Sequence, residues 1–213
     1  MPDIHPDNQP PSGSPMARRS ALRLLALAGA GLFAGGETSQ AFSDFFSGFS
    51  SPSPTSLKAL DIPVEWQVAL GPTLPAYVDF LKRCKLQNIT IHQVIEPHTH
   101  VRGRVKNTLP PRAMWPNIRS TLRVADSLAD RLDLKMKDVI SVYRSPAYNS
   151  RCPGAKSNSY HTRNNAMDIV FPCKPGKVAA MARAMRATGL FRGGVGRYGG
   201  FTHIDTRGAN VDW

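Results

Sequence analysis

Ser159-Tyr160-His161 is followed seven residues later by Asp168, and a second short cluster, His203-Ile204-Asp205, lies near the end of the chain. A neutral imidazole, a carboxylate and a second imidazole held on rigid strands can bind one divalent metal and leave a coordination position open for water. That set of groups suffices for metal-assisted hydrolysis. A rival pair stands in His98-Thr99-His100, where alternate residues of an extended segment can face one ion. It falls in a punctuated loop with no third ligand near it in sequence, and reads instead as a solvated or substrate-facing pair. No HExxH helix is present, which removes the commonest zinc-protease arrangement.

The elements that must carry these side chains are legible from periodicity. In a strand over 166–171, Asp168 points with Ala166 and Val170, while Met167, Ile169 and Phe171 point to the opposite face and the core. A lone carboxylate in an apolar strand needs a partner, because an unpaired buried charge is very costly, and a metal would supply one. In a strand over 201–205, His203 and Asp205 share a face, so one can bind metal while the other reaches the bound water or orients a ligand.

Around these strands the spacing predicts a helix over 74–84, an apolar-alternating strand over 88–95 and a Gly/Pro-punctuated loop over 97–111. Pro116 suits the first turn of the next helix, where Ile118, Leu122, Ala125, Ala129 and Leu132 recur at helical spacing. A strand over 139–143 ends at Arg144-Ser145-Pro146. Residues 175–188 form a helix with Val178, Met181, Ala182 and Met185 inward, and 193–198 is a further short strand. Strands and helices mixed without regular alternation imply an α+β fold, a small and largely antiparallel sheet flanked by helices.

The first part of the 213-residue chain has a different character. Residues 1–15 are almost devoid of apolar side chains, and Met16 is an alternative start. Arg18-Arg19-Ser20-Ala21-Leu22-Arg23, the apolar run 24–33 and the small residues Ser39-Gln40-Ala41 read as a cleaved export signal over 1–41. The paired arginines resemble the twin-arginine type, with Ala17 and Ala21 in place of its usual Ser and Phe. An ordinary secretory signal or an uncleaved anchor is the alternative. The apolar run is shorter than the roughly 20 residues a membrane span needs, so no stable span is expected after cleavage. Residues 42–59 mix Phe with Ser, Gly and Pro as a flexible tether, and 60–213 form the catalytic domain.

The formal charge is +12, and loss of 1–41 removes three arginines and three acids, leaving it unchanged. Such a field attracts polyanions. Export and the absence of an aromatic-basic stacking pattern argue against nucleic acid; the anionic partners of a periplasm or cell envelope are wall peptides, wall polymers and lipid head groups. A solvated basic surface that confers solubility is the simpler reading. Of Cys84, Cys152 and Cys173, the latter two could bridge across the His161–Asp168 segment in an oxidising compartment, or all three stay as free thiols.

The segments VYRSPAYN (142–149), SYHTRNNAMDIVF (159–171) and GGVGRYGGFTHIDTRG (193–208) resemble zinc D-Ala-D-Ala carboxypeptidases and murein endopeptidases. This group extends to D,D-dipeptidases, phage endolysins and the Hedgehog N-terminal domain. Its pattern is S-x-H-x6-D followed by a later His, and the likeness covers about residues 112–208. The resemblance implies one zinc ion held by His161, Asp168 and His203, with Arg144 binding a substrate carboxylate or stabilising the oxyanion.

Three positions depart from the pattern. Asn164 stands where Gly is frequent. Gly200 and Phe201 stand where other members place an acid or a histidine ahead of the last ligand. Asp205 is then the expected general base, accepting the proton of the attacking water and delivering it to the departing amine. The other register makes Asp205 the ligand and His203 its support. Ser159 and Tyr198 are expected to bond the substrate backbone or the ligands' surroundings, although Ser159 can equally cap a turn and Tyr198 pack in the core. The function so implied is hydrolysis of peptide bonds in peptidoglycan stems or cross-links. The alternative is a metal-stabilised wall-binding or partner-binding module that does not cleave.

Overall fold

The computed structural model describes residues 61–213; the export signal expected over 1–41 and the tether over 42–59 lie outside the described residues. The chain opens with helices α1 (Val64–Leu70) and α2 (Thr73–Lys82), the second burying Leu74, Tyr77, Val78, Phe80 and Leu81. The segment 88–95 is not the expected strand. Thr90 accepts a hydrogen bond from the Gln93 amide and donates its own backbone N–H to the Gln93 side chain, a reciprocal cap that starts helix α3 (Ile91–Ile95). This runs into a 3-10 turn, Glu96–Thr99. Local capping here outweighs the alternation of apolar residues.

The expected loop over 97–111 contains a small antiparallel hairpin, β1 (Val101–Arg102) and β2 (Val105–Lys106), turning at Gly103 with φ of +60°. After a 3-10 turn, Arg112–Asn117, comes helix α4 (Ile118–Leu132). It buries Ile118, Leu122, Ala125, Leu128, Ala129 and Leu132 along one stripe. It stops where Asp133 turns left-handed and Leu134 N–H reaches back to Ala129 O.

The remaining elements are β3 (Asp138–Ser141), a short helical turn α5 (Pro146–Asn149), a 3-10 turn (Tyr160–Arg163) and β4 (Ala166–Val170). Helix α6 (Pro175–Ala187), β5 (Gly194–Arg197), β6 (Thr202–Asp205) and β7 (Val211–Asp212) complete the chain. Five strands form one sheet in the order β3-β4-β6-β5-β7, antiparallel except for the parallel β5–β7 pair. This is the expected α+β architecture, a small mixed sheet flanked by helices.

The period of two divides the sheet into unlike faces. Val139, Met167, Ile169, Val195 and Ile204 enter the hydrophobic core with α4 and α6. On the other face the register aligns Ser141 with Asp168, Asp168 with His203, and His203 with Gly196, a single row across four strands. Asp205 lies opposite Ala166 on the same face. The cysteines are unbridged: Cys173 packs against the core, and Cys152 Sγ hydrogen-bonds Tyr148 O, so the Cys152–Cys173 staple is absent. Among the described residues no helix is long and apolar enough to cross a membrane.

Candidate metal centre

Pairing of β4 with β6 sets Asp168 directly beside His203, and the 3-10 turn that precedes β4 delivers His161 to the same point. Ser159 caps that turn, its hydroxyl accepting from the His161 amide at 3.3 Å. Asn164 ends the turn in the left-handed region with φ of +56°, a conformation that asparagine tolerates better than most residues. Its side-chain amide donates to Met114 O at 2.9 Å. The departure from glycine therefore keeps the turn that presents Asp168.

The three side chains meet at one point. Asp168 Oδ1 lies 2.8 Å from His203 Nδ1 and 3.2 Å from His161 Nε2, and the two ring nitrogens are 3.2 Å apart. All three residues are buried.

What lies behind each ring fixes its protonation. His161 Nδ1 sits 2.6 Å from Val142 O, a carbonyl that can only accept, so the proton is on Nδ1 and Nε2 is bare. His203 Nε2 sits 3.0 Å from Asp205 Oδ2. Asp205 is fully buried and already accepts from the Arg207 guanidinium, from Arg207 N–H and from Gly194 N–H, so it too is an acceptor. The proton of a neutral His203 is thus on Nε2, which leaves Nδ1 bare. With both rings neutral, two imidazole lone pairs and a carboxylate oxygen converge with no proton among them, a donor set that suits a metal cation.

The electrostatics treat the two rings differently. Burial lowers the pKa of His161, with Asp168 opposing only in part, which favours the neutral ligand form. For His203, burial opposes charging but the bonds to Asp168 and Asp205 outweigh it, so its pKa rises toward a charged form whose Nδ1 proton a metal ion would displace. Burial opposes ionisation of Asp168 as well, yet His161 and His203 hold its carboxyl well below the usual range. Asp205 is held low in the same sense, chiefly by Arg207 against its burial. Two nitrogens and one carboxylate oxygen match the protein donor set of a zinc site that keeps one position open. His161, Asp168 and His203 form a site for a single zinc ion, their ligand atoms all within 4.8 Å of one another.

The other expected site residues are placed as follows. Arg144 reaches Asp168 Oδ2 through Nη2 and Ser141 Oγ through Nε at 2.7 Å, so it grips the ligand carboxylate. Asp205 stands behind His203, on the side of the ring away from Asp168. Tyr198 is on the surface, stacked on Phe201 with ring centroids 4.4 Å apart, and not in the core. Val142 O, Ser141, Arg207 and Trp213 were not expected at the site. Arg207 follows Asp205 by two residues, a spacing that hints at the pair; a backbone carbonyl such as Val142 O leaves no mark in sequence.

The rival pair is elsewhere and differently built. His98 is buried in the aromatic cluster, edge-on to Tyr77 at 5.9 Å between centroids, with Nδ1 bonded to Ile95 O at 3.1 Å. His100 pairs with Glu96 at 2.8 Å.

A family model described as Peptidase M15 matches residues 88–205, which contain every candidate ligand. No curated protein and no solved structure matches the chain.

Proposed function

Because the chain belongs to the peptidase M15 family, we propose that it is a zinc-dependent peptidase hydrolysing peptide bonds in peptidoglycan stems or cross-links, exported to the periplasm or cell envelope by the Arg18-Arg19 signal. The observation that carries the reading is the convergence of His161 Nε2, Asp168 Oδ1 and His203 Nδ1, with an acceptor behind each ring at its other nitrogen. When bound, zinc supplies Lewis acidity, polarising a carbonyl and making water acidic enough to attack near neutral pH.

The chain's own groups keep that site ready. Val142 O and Asp205 hold the protons of His161 and His203 away from the metal side, and Arg144 binds Asp168 Oδ2 so that Oδ1 faces inward. Outer partners of this kind fix ligand orientation and raise basicity. The Arg144 charge beside the ligands also favours an oxyanion developing on the substrate. Asp205, enclosed and saturated with donors, is assigned to orienting His203 in place of the proton abstraction expected of it. Ser159 acts through the turn it caps, and Tyr198 contacts substrate at the surface.

Incubation of the purified zinc-loaded chain with muropeptides tests this reading. New amines should form, cease with chelator and return with zinc; capture of intact wall material without products would instead mark a binding module.

A further inference from the structure

Trp213 occupies a seat that the sheet must leave vacant for it. A Cβ on Gly196 would lie 2.4 Å from the indole Cε2, and one on Gly194 would lie 3.0 Å from its Cη2. The clash at Gly196 is not with a pliable chain end: the indole is rigid, and Trp213 N–H and C=O pair with Val195 O and Arg197 N–H of β5. Gly196 is therefore the complement of the indole, whereas Gly194 and Gly193 chiefly make room for Asp205, whose Oδ2 and backbone O would lie 2.5 and 1.8 Å from their added Cβ atoms.

That tryptophan shares the sheet face with the metal ligands. Gly196 is the direct partner of His203 across β5–β6, and the indole lies over it with its centroid 5.2 Å from the His203 ring. Indole Nε1 donates to Tyr198 Oη at 2.8 Å, and the Arg207 guanidinium stands between the indole and Tyr160. His203 is 7% exposed, yet Trp213 is 44% and Tyr198 42% exposed. A large apolar ring left half in water beside a sunken ligand set is unexplained by folding: the backbone pairing of β7 needs no indole, and the His203 proton is already held by Asp205.

The geometry points to Trp213, braced by Tyr198, as a wall beside the metal centre that takes the apolar side chain of the substrate residue flanking the bond to be cut. This rests on the peptidase reading, and Trp213 is a substrate-contacting residue with no part in the proton transfers. A flat indole face offers contact area at small entropic cost, which suits a short apolar side chain on an extended peptide.

The test is muropeptide kinetics on zinc-loaded Trp213→Ala, Trp213→Phe and Gly196→Ala, with zinc affinity measured by competition titration on each. Trp213→Ala should raise KM about tenfold, with kcat within about twofold and zinc affinity unchanged. Gly196→Ala, which displaces the indole without deleting it, should reproduce the rise, and Trp213→Phe should recover much of it. An unchanged KM in Trp213→Ala overturns the proposal, as does a loss of zinc affinity that accounts for the lost activity. Should wild type show no turnover, the peptidase reading fails separately, and equilibrium dialysis of the same muropeptides against wild type and Trp213→Ala still decides: equal affinity sinks the wall.

Discussion

Two pairs of histidines in this molecule invite the same first interpretation and have opposite surroundings. His98 and His161 are both buried, and each has one ring nitrogen bonded to a backbone carbonyl, Ile95 O for the first and Val142 O for the second. They differ at the other nitrogen. His98 Nε2 has no hydrogen-bond partner and its ring packs edge-on to Tyr77, whereas His161 Nε2 meets Asp168 and His203 Nδ1. Burial and a backbone anchor are thus shared by a core histidine and a ligand. What separates them is a carboxylate at the free nitrogen and a second imidazole whose own proton is held outward by another carboxylate.

The sharpest way to break this contrast is to remove one member of each pair. His161→Ala should abolish stoichiometric zinc binding and lower muropeptide hydrolysis by at least about a thousandfold, since a metal site with two protein ligands no longer matches the three that catalytic zinc requires. His98→Leu should leave zinc content at one per chain. Metal analysis after gel filtration of each variant reads both outcomes, and zinc lost from His98→Leu would show the pairs to be coupled.

A smaller effect separates ligand from support within the metal centre. Asp205→Asn keeps the size of the side chain and removes the charge that faces His203 and Arg207. Loss of such an outer partner commonly weakens metal affinity 10–100-fold. Competition titration should give a drop in that range, and excess zinc should restore much of the activity. Intact zinc affinity with activity that excess zinc does not rescue would return Asp205 to the role of base.

The comparison also explains which parts of the molecule the sequence discloses. Periodicity exposes a strand's two faces, so the opposition of Asp168 to Met167 and Ile169, and the shared face of His203 and Asp205, were legible, and with them most of the sheet. The segment around the other pair was not. Alternating apolar residues over 88–95 imitate a strand, and only the reciprocal bonds between Thr90 and Gln93 make it a helix start. The choice between His203 and Asp205 as ligand needed Arg207 and two backbone amides to be seen on Asp205. Contacts to backbone and from residues beyond the strand carry no spacing signal, which is also why the seat for Trp213 went unseen among glycines.

The smallest predicted effect belongs to His98 and concerns stability. Its burial pushes the imidazole pKa down to about 4, with the bonds to Ile95 and Val94 opposing in part and the neighbouring His100 adding to the fall. The folded protein therefore binds a proton at this site less readily than the unfolded chain, whose histidine titrates at its ordinary value near 6.5. Stability from this group is complete above that value and is lost as pH falls toward about 4. Between pH 7.5 and 5.5 the loss amounts to about 1 kcal/mol. His161 titrates in the same direction and His203 in the opposite one, so wild type alone does not isolate the site. The difference between wild type and His98→Leu does, because leucine fits the apolar surroundings and cannot titrate. Urea denaturation of both at the two pH values should show the midpoint of His98→Leu falling less on acidification. Parallel shifts would mean that His98 is protonated in the fold, and the contrast with His161 would then need another basis than the unpartnered nitrogen of His98.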